Sequence, residues 1–301
     1  MQQSRQLAAD EFGLPIPLGL EDLAPQLNYK REHCGSKRSA LRHVSFIFWE
    51  VQEVGMAEAI LRTTTSILYI GFTMLLLASI MCGYFAYSQE TGRRTLHYVS
   101  LILCGIASLS YLSMATHNGY VVRPDGRVFF YARYIDWLLT TPLLLYDLAA
   151  VAGLERGKTF GVIGLDVLMV IFGLIGALSL SPDWRWLFWA FGMLTFAPIV
   201  YVLWSTFETQ AVEGADDRAR KLYSKLLSLT VITWAAYPVV WAVGEGAGVI
   251  DQTSEVLMYM ILDVIAKGVF AFLLLHHQRT YRQVPTGAPE APKRERRGAD
   301  L

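Results

Sequence analysis

Charge is sparse in this sequence, and what there is cancels. Only 17% of the 301 residues are Asp, Glu, Lys or Arg, and 26 basic residues balance 26 acidic ones. With no basic field to attract a polyanion, nucleic-acid binding is excluded as a main activity. Cysteine is scarce too. Cys34, Cys82 and Cys104 form neither a disulfide framework nor a metal-ligand spacing, and the last two fall in apolar segments where packing is their expected role. The first 60 residues are mixed in character up to "HVSFIFWEVQ" and hold no continuous apolar core of a secretory signal peptide. A phosphate-cradling glycine loop, an internal repeat and a soluble catalytic domain are also missing.

Apolar residues, by contrast, make up 53% of the chain, and the mean hydropathy is +0.35. They fall into seven long segments, at about 61–87, 96–115, 128–151, 159–179, 184–207, 222–243 and 254–277. Each approaches the roughly 20 residues that cross about 30 Å of hydrocarbon. Lipid leaves no partner for free backbone groups, so each segment is expected to be a helix. The expected fold is therefore all-α, a seven-transmembrane helix bundle over 60–277. Residues 1–59 read as a poorly ordered extension, with "FIFWEVQEV" at 46–54 either a short surface helix or linker. Residues 278–301, Pro-rich and charged, read as a disordered tail whose basic cluster is either solvated or near anionic lipid. Turn chemistry at Gly119–Gly126 lies in the loop before the third segment.

Lys and Arg set the orientation. With the N-terminus outside, the inner side receives Arg93, Arg94, Arg156, Lys158, Arg218, Arg220, Lys221, Lys225 and the basic tail, while the short outer loops hold only Arg123, Arg127 and Arg185. The expected topology is N-terminus outside, C-terminus cytoplasmic, in an integral multi-pass protein of the plasma membrane.

Three charges interrupt the third segment, "RYIDWLLTTPLLLYDL". A charge at the bilayer centre costs about 2.5–3.5 kcal/mol on insertion scales, so such groups face a bundle interior and mark function. Helical geometry puts Arg133, Asp136, Thr140 and Asp147 on one stripe. In the seventh segment Asp263 and Lys267 stand four apart on one face. A structural ion pair is the plain alternative. A mid-membrane lysine beside carboxylates better suits covalent capture of an aldehyde as a Schiff base. Counting about 1.5 Å per residue from the outer ends puts Asp136 at roughly 10 Å, Asp263 at roughly 13 Å, Lys267 at roughly 19 Å and Asp147 at roughly 27 Å. The outer carboxylates have cationic neighbours and are expected to be ionised. Asp147, with no charge partner evident, is expected to hold its proton at rest. An ionised acceptor outside and a protonated donor inside favour outward transport. "WAAYPVVW" puts Trp234, Tyr237 and Trp241 on one face of the sixth segment, kinked at Pro238. Beside a buried lysine, with Trp137 and Trp189 as further walls, this reads as a slot for a long conjugated ligand.

Taken together, these residues resemble the microbial rhodopsins over about 60–277. The triplet Asp136, Thr140, Asp147 matches the family's bacteriorhodopsin-like proton pumps. Chloride pumps replace the first aspartate, sodium pumps use another triplet, and many sensors lack the inner carboxylate. "FFYARYIDW", "DVIAKGVF" and the long extension look most like fungal rhodopsins. The resemblance implies all-trans retinal on Lys267 as a protonated Schiff base. It also implies Asp136 and Asp263 as counterions, Asp136 as proton acceptor, Asp147 as donor, Arg133 as the gating arginine and Glu245 with Glu255 as release glutamates. Retinal-pocket positions fall on Trp137, Thr141, Trp189, Trp234, Tyr237 and Trp241, with Tyr111 near the arginine network; Asp166 reads as structural. The chain departs from the pattern in a loop after Gly244 that is one residue short, and in Met193 and Phe196. No histidine accompanies Asp136; Ser110 and Tyr111 stand where one is sought, so the acceptor is not the histidine-coupled kind. The implied activity is a light-driven outward proton pump, an ion transporter and photoreceptor protein and not an enzyme. Its implied partners are retinal, protons and membrane lipid, with room for a homo-oligomer and no nucleic acid. A retinal photosensor signalling through its cytoplasmic loops is the alternative. A retinal-free transporter and a channel come after it.

Overall fold

The computed structural model describes residues 37–89, 94–212 and 217–280. The chain divides into two compact units, 1–56 and 57–301, and the functional residues lie in the second. The described helices are α1 (Lys37–Tyr87, of which Ala57–Tyr87 is the apolar span), α2 (Thr95–Ala115), α3 (Tyr131–Ala152), α4 (Arg156–Leu178) and α5 (Pro182–Val212). They continue with α6 (Asp217–Trp241), α7 (Gln252–Asp263) and α8 (Phe270–Thr280). A π turn, Ala242–Gly246, extends α6, and a second, Val264–Val269, joins α7 to α8. Among the described residues seven helical spans are long and apolar enough to cross a membrane, the seventh running Gln252–His277. The expected all-α seven-helix bundle is therefore present. The stretch 46–54 belongs to α1; the sequence readings of 1–36 and 281–301 lie outside the described residues.

The third span starts later than its hydropathy implies. Val128 and Phe129 are apolar but form strand β2, paired antiparallel with β1 (Val121–Val122), and α3 begins at Tyr131. Gly126, at φ +77°, makes the turn, with the Asp125 carboxylate accepting the Arg127 N–H at 3.2 Å. The Gln252 side chain clamps the hairpin to α7. Its Oε1 accepts the Val128 N–H (3.0 Å) and its Nε2 donates to the Val128 carbonyl (2.6 Å). At the other end of α3, Gly153 takes the left-handed conformation (φ +64°), and Leu154 N–H returns to Ala149 O at 2.9 Å. Asp251 caps α7 by accepting the Ser254 N–H at 3.0 Å.

Large apolar side chains such as Leu77, Leu194, Tyr201 and Ile232 are exposed on the outer faces, while charged groups such as Arg133, Asp136, Asp147, Asp263 and Lys267 are buried. That inversion is what a lipid surround demands. The apolar core packs Leu144, Leu145 and Leu148 of α3 against Leu222 and Leu226 of α6 and Leu274 of α8. It fills the end of the bundle opposite the hairpin.

Candidate functional site

The centre of the bundle holds a charged cluster. The Lys267 ammonium donates to Asp136 Oδ2 and lies 2.8 Å from Asp263 Oδ1, with all three side chains buried. The spacing of Asp263 and Lys267 brings them together on one helix face; α3 supplies Asp136 from across the bundle.

The two aspartates differ in their surroundings. Asp263 is saturated with donors: Tyr111 OH to Oδ2 at 2.7 Å, Tyr237 OH to Oδ1 at 2.8 Å and Trp137 Nε1 to Oδ1 at 3.3 Å. Asp136 Oδ1 is buried with no hydrogen-bond partner among the described residues. Thr140, one turn on, donates to the Asp136 backbone carbonyl at 2.8 Å rather than to its carboxylate. Tyr111 thus meets the aspartate of the seventh span and is not among the residues that line the cavity described next. Its approach requires Gly71 of α1, where a Cβ would stand 2.5 Å from the Tyr111 ring.

An aromatic cavity starts at Lys267. Trp137, Trp189, Trp234, Tyr237 and Trp241 line it, with Thr140, Thr141, Leu144, Met169 and Met193 among the other wall residues. The cavity volume is about 100 Å³. The walls are held by specific bonds. Trp189 Nε1 donates to the carbonyl of Pro238 (3.2 Å), the residue expected to kink α6, and Trp137 meets Tyr237 edge-on with ring centres 5.3 Å apart. Thr141 donates to buried Asp166 at 2.7 Å, tying α3 to α4 beside the cavity. Phe196 packs against the apolar core and is not a wall.

Towards the hairpin, Arg133 is buried and shared. Its Nη1 lies 3.7 Å from Glu245 Oε1 and 3.6 Å from Glu255 Oε1, and its guanidinium stacks over the Tyr259 ring at 4.2 Å. Glu245 Oε2 accepts from Tyr134 OH at 2.7 Å and Tyr259 OH at 3.4 Å. The π turn Ala242–Gly246 carries Glu245, which is buried, because a wider turn shifts the facing of each residue past Trp241. Ser110, on α2, donates to Ala132 O and does not reach Asp136.

In the opposite direction Asp147 is buried among leucines. One partner escaped the sequence reading: Ser100 of α2 donates to Asp147 Oδ2 at 2.8 Å, while Oδ1 has no hydrogen-bond partner among the described residues. Ser100 is one of four serines in α2, and nothing in their spacing singles it out. Cys82 and Cys104 are buried free thiols, and among the described residues no group of three or more His, Cys, Asp or Glu could hold a metal ion.

A membrane-spanning bundle whose aromatic cavity ends on a lysine between two aspartates defines a seven-helix protein built around one buried amine. The chain belongs to the bacteriorhodopsin-like family, whose model matches residues 62–281. It is similar to archaerhodopsin-2 of Halobacterium sp. (strain aus-2), 39% identical over 203 residues, covering 66% of this chain and 78% of that one. It is also similar to the opsin-like protein carO of Fusarium fujikuroi, 41% identical over 198 residues, covering 62% of this chain and 64% of that one. Among solved structures, the light-driven proton pump LR (Mac) from Leptosphaeria maculans superposes with a TM-score of 0.69 at 30% identity, covering 73% of this chain and 96% of that one.

Proposed function

We propose that the protein is a light-driven outward proton pump of the plasma membrane that carries all-trans retinal on Lys267. The observation that carries this reading is the Lys267 ammonium, buried between Asp136 and Asp263 at the end of an aromatic cavity. The donor set fits the ligand. The cavity offers flat aromatic walls to a conjugated chain, one reactive amine, and next to that amine an orphaned carboxylate oxygen, Asp136 Oδ1. When bound as a protonated Schiff base, the chromophore supplies absorption of visible light and a light-driven change in the orientation and proton affinity of the Lys267 nitrogen.

The chain's own residues then give the movement its direction. Asp136 takes the proton, because its carboxylate has an open oxygen, whereas three donors satisfy Asp263 and leave it a fixed anion. Trp189 and Trp241 confine the ligand, and Tyr237 spans cavity and counterion by lining the one while donating to the other. Asp147 returns a proton to the nitrogen from the leucine-lined side, where Ser100 orients it. Arg133, three residues before Asp136 on α3, holds the release glutamates, Glu245 and Glu255. With the hairpin end outside, Arg156, Lys158, Lys221 and Lys225 lie at the cytoplasmic end, in accord with the positive-inside rule. The buried Asp147–Ser100 pair favours pumping over sensing, because a sensor has no need of an internal donor on that side.

The test is a suspension of unbuffered cells expressing the protein with retinal. Illumination acidifies the medium, and a protonophore abolishes the signal. A pigment that cycles over seconds with no acidification would replace pumping by signalling.

A further inference from the structure

The hairpin places a second arginine on one of the two release glutamates, Glu255. Arg127 Nη2 donates to Glu255 Oε2 at 2.6 Å. The Arg127 side chain is 22% exposed and that of Glu255 only 4%, so Arg127 stands between the buried carboxylate and the surroundings. Its position is built in. Gln252 fixes the next residue, Val128, to the first turn of α7, three residues before Glu255. Gly248, at φ +65°, presents a Cα whose Cβ would come 3.4 Å from Arg127 Nη1, and a Cβ on Gly244 would come 2.7 Å from Glu255 Oε2. The loop after α6 therefore lays a glycine against each side of the ion pair.

The two glutamates are unequal as a result. Both share Arg133, but Glu255 has Arg127 as a second cation, whereas Glu245 has the neutral hydroxyls of Tyr134 and Tyr259. Of the other charged groups at this end, Arg123 is paired with Asp125 at 2.6 Å, and Arg185 donates to the carbonyls of Ser179 and Gly246. Charge balance then assigns the proton. Lys267, Asp136 and Asp263 together carry one negative charge. Arg133, Arg127 and one ionised glutamate carry one positive charge. The buried set is neutral with a single proton on the glutamate pair, and opposite charges in contact put that proton on Glu245.

We propose that Arg127 is a positioning residue for proton release: it holds Glu255 ionised, so that the releasable proton sits on Glu245 and leaves early in the cycle. This rests on the pump reading above. With Arg127 neutral, the same charge balance requires two protons on the pair, and release waits for the recovery of the resting state.

The experiment uses purified full-length pigment, a flash and a pH-sensitive dye in the medium. In the unaltered protein the dye records release together with proton loss from the Lys267 nitrogen. Arg127→Gln delays release by about tenfold or more while leaving that proton loss in place. Arg127→Lys restores the early timing, which a merely steric role would not produce. Should Arg127→Gln form no pigment, Arg127→His serves in its place, with early release at pH 5, where the imidazole is charged, and delayed release at pH 8 (ordinary His pKa about 6.5). Unchanged timing in Arg127→Gln, Arg127→Lys as slow as Arg127→Gln, timing in Arg127→His that ignores pH, or late release in the unaltered protein would each overturn the proposal and leave pumping intact. Absence of any dye signal in the unaltered protein would instead overturn the pump reading.

Discussion

Asp136→Asn is expected to abolish net transport, lowering light-driven acidification by about a hundredfold or more, the range for loss of a positioned proton-transfer group. Asparagine keeps the shape and can accept a hydrogen bond from the Lys267 nitrogen, but it cannot take a proton. No other group on the hairpin side is equipped to replace it. Asp263 touches the same nitrogen, yet Tyr111, Tyr237 and Trp137 occupy its oxygens, so protonating it would break bonds made to the anion. Thr140 is committed to the backbone carbonyl of Asp136. Glu245 and Glu255 lie beyond Arg133. The check is parallel acidification of cells expressing equal amounts of pigment, quantified by visible absorbance. Transport at a tenth or more of the unaltered rate would move the acceptor role elsewhere.

Asp147→Asn should leave proton loss from the Lys267 nitrogen intact and slow its recovery by about a hundredfold. Asp147 sits in the leucine-rich half of the bundle, bonded to the Ser100 hydroxyl, whereas the buried carboxylate of neighbouring α4, Asp166, is bonded to Thr141 beside the cavity. Without Asp147, protons must cross that apolar layer from the medium. A small diffusible weak acid such as azide bypasses the layer and should restore much of the rate in proportion to its concentration. Flash photolysis at several pH values reads both effects. In the variant, recovery becomes slower as pH rises, because bulk protons now supply the nitrogen. Recovery that stays fast and independent of azide would show that Asp147 is not the donor.

Much of this arrangement was legible in the sequence, because lipid imposes simple rules. Seven apolar runs could only be helices, and a helical period of 3.6 put Arg133, Asp136, Thr140 and Asp147 on one stripe and Asp263 and Lys267 on one face. Burial of all six follows that geometry. The contacts that escaped prediction join residues far apart in the chain or break the period. Ser100 reaches Asp147 across 47 residues, and Arg127 reaches Glu255 across 128, and neither pair leaves a local pattern. The π turns at Ala242–Gly246 and Val264–Val269 shift the facing of Glu245 and Lys267, which a strict 3.6 count does not anticipate. Val128 and Phe129 satisfy hydropathy as well in a strand as in a helix, and only their clamp to Gln252 decides the matter.

The account depends above all on the amine of Lys267 as the attachment point for the chromophore. The most direct measurement is the visible absorbance and flash response of purified Lys267→Ala protein given all-trans retinal. No visible band and no photoresponse are predicted, with both returning when a small retinylidene amine is added to fill the cavity. A stable visible band that cycles in the light without such an amine would contradict the account at its centre.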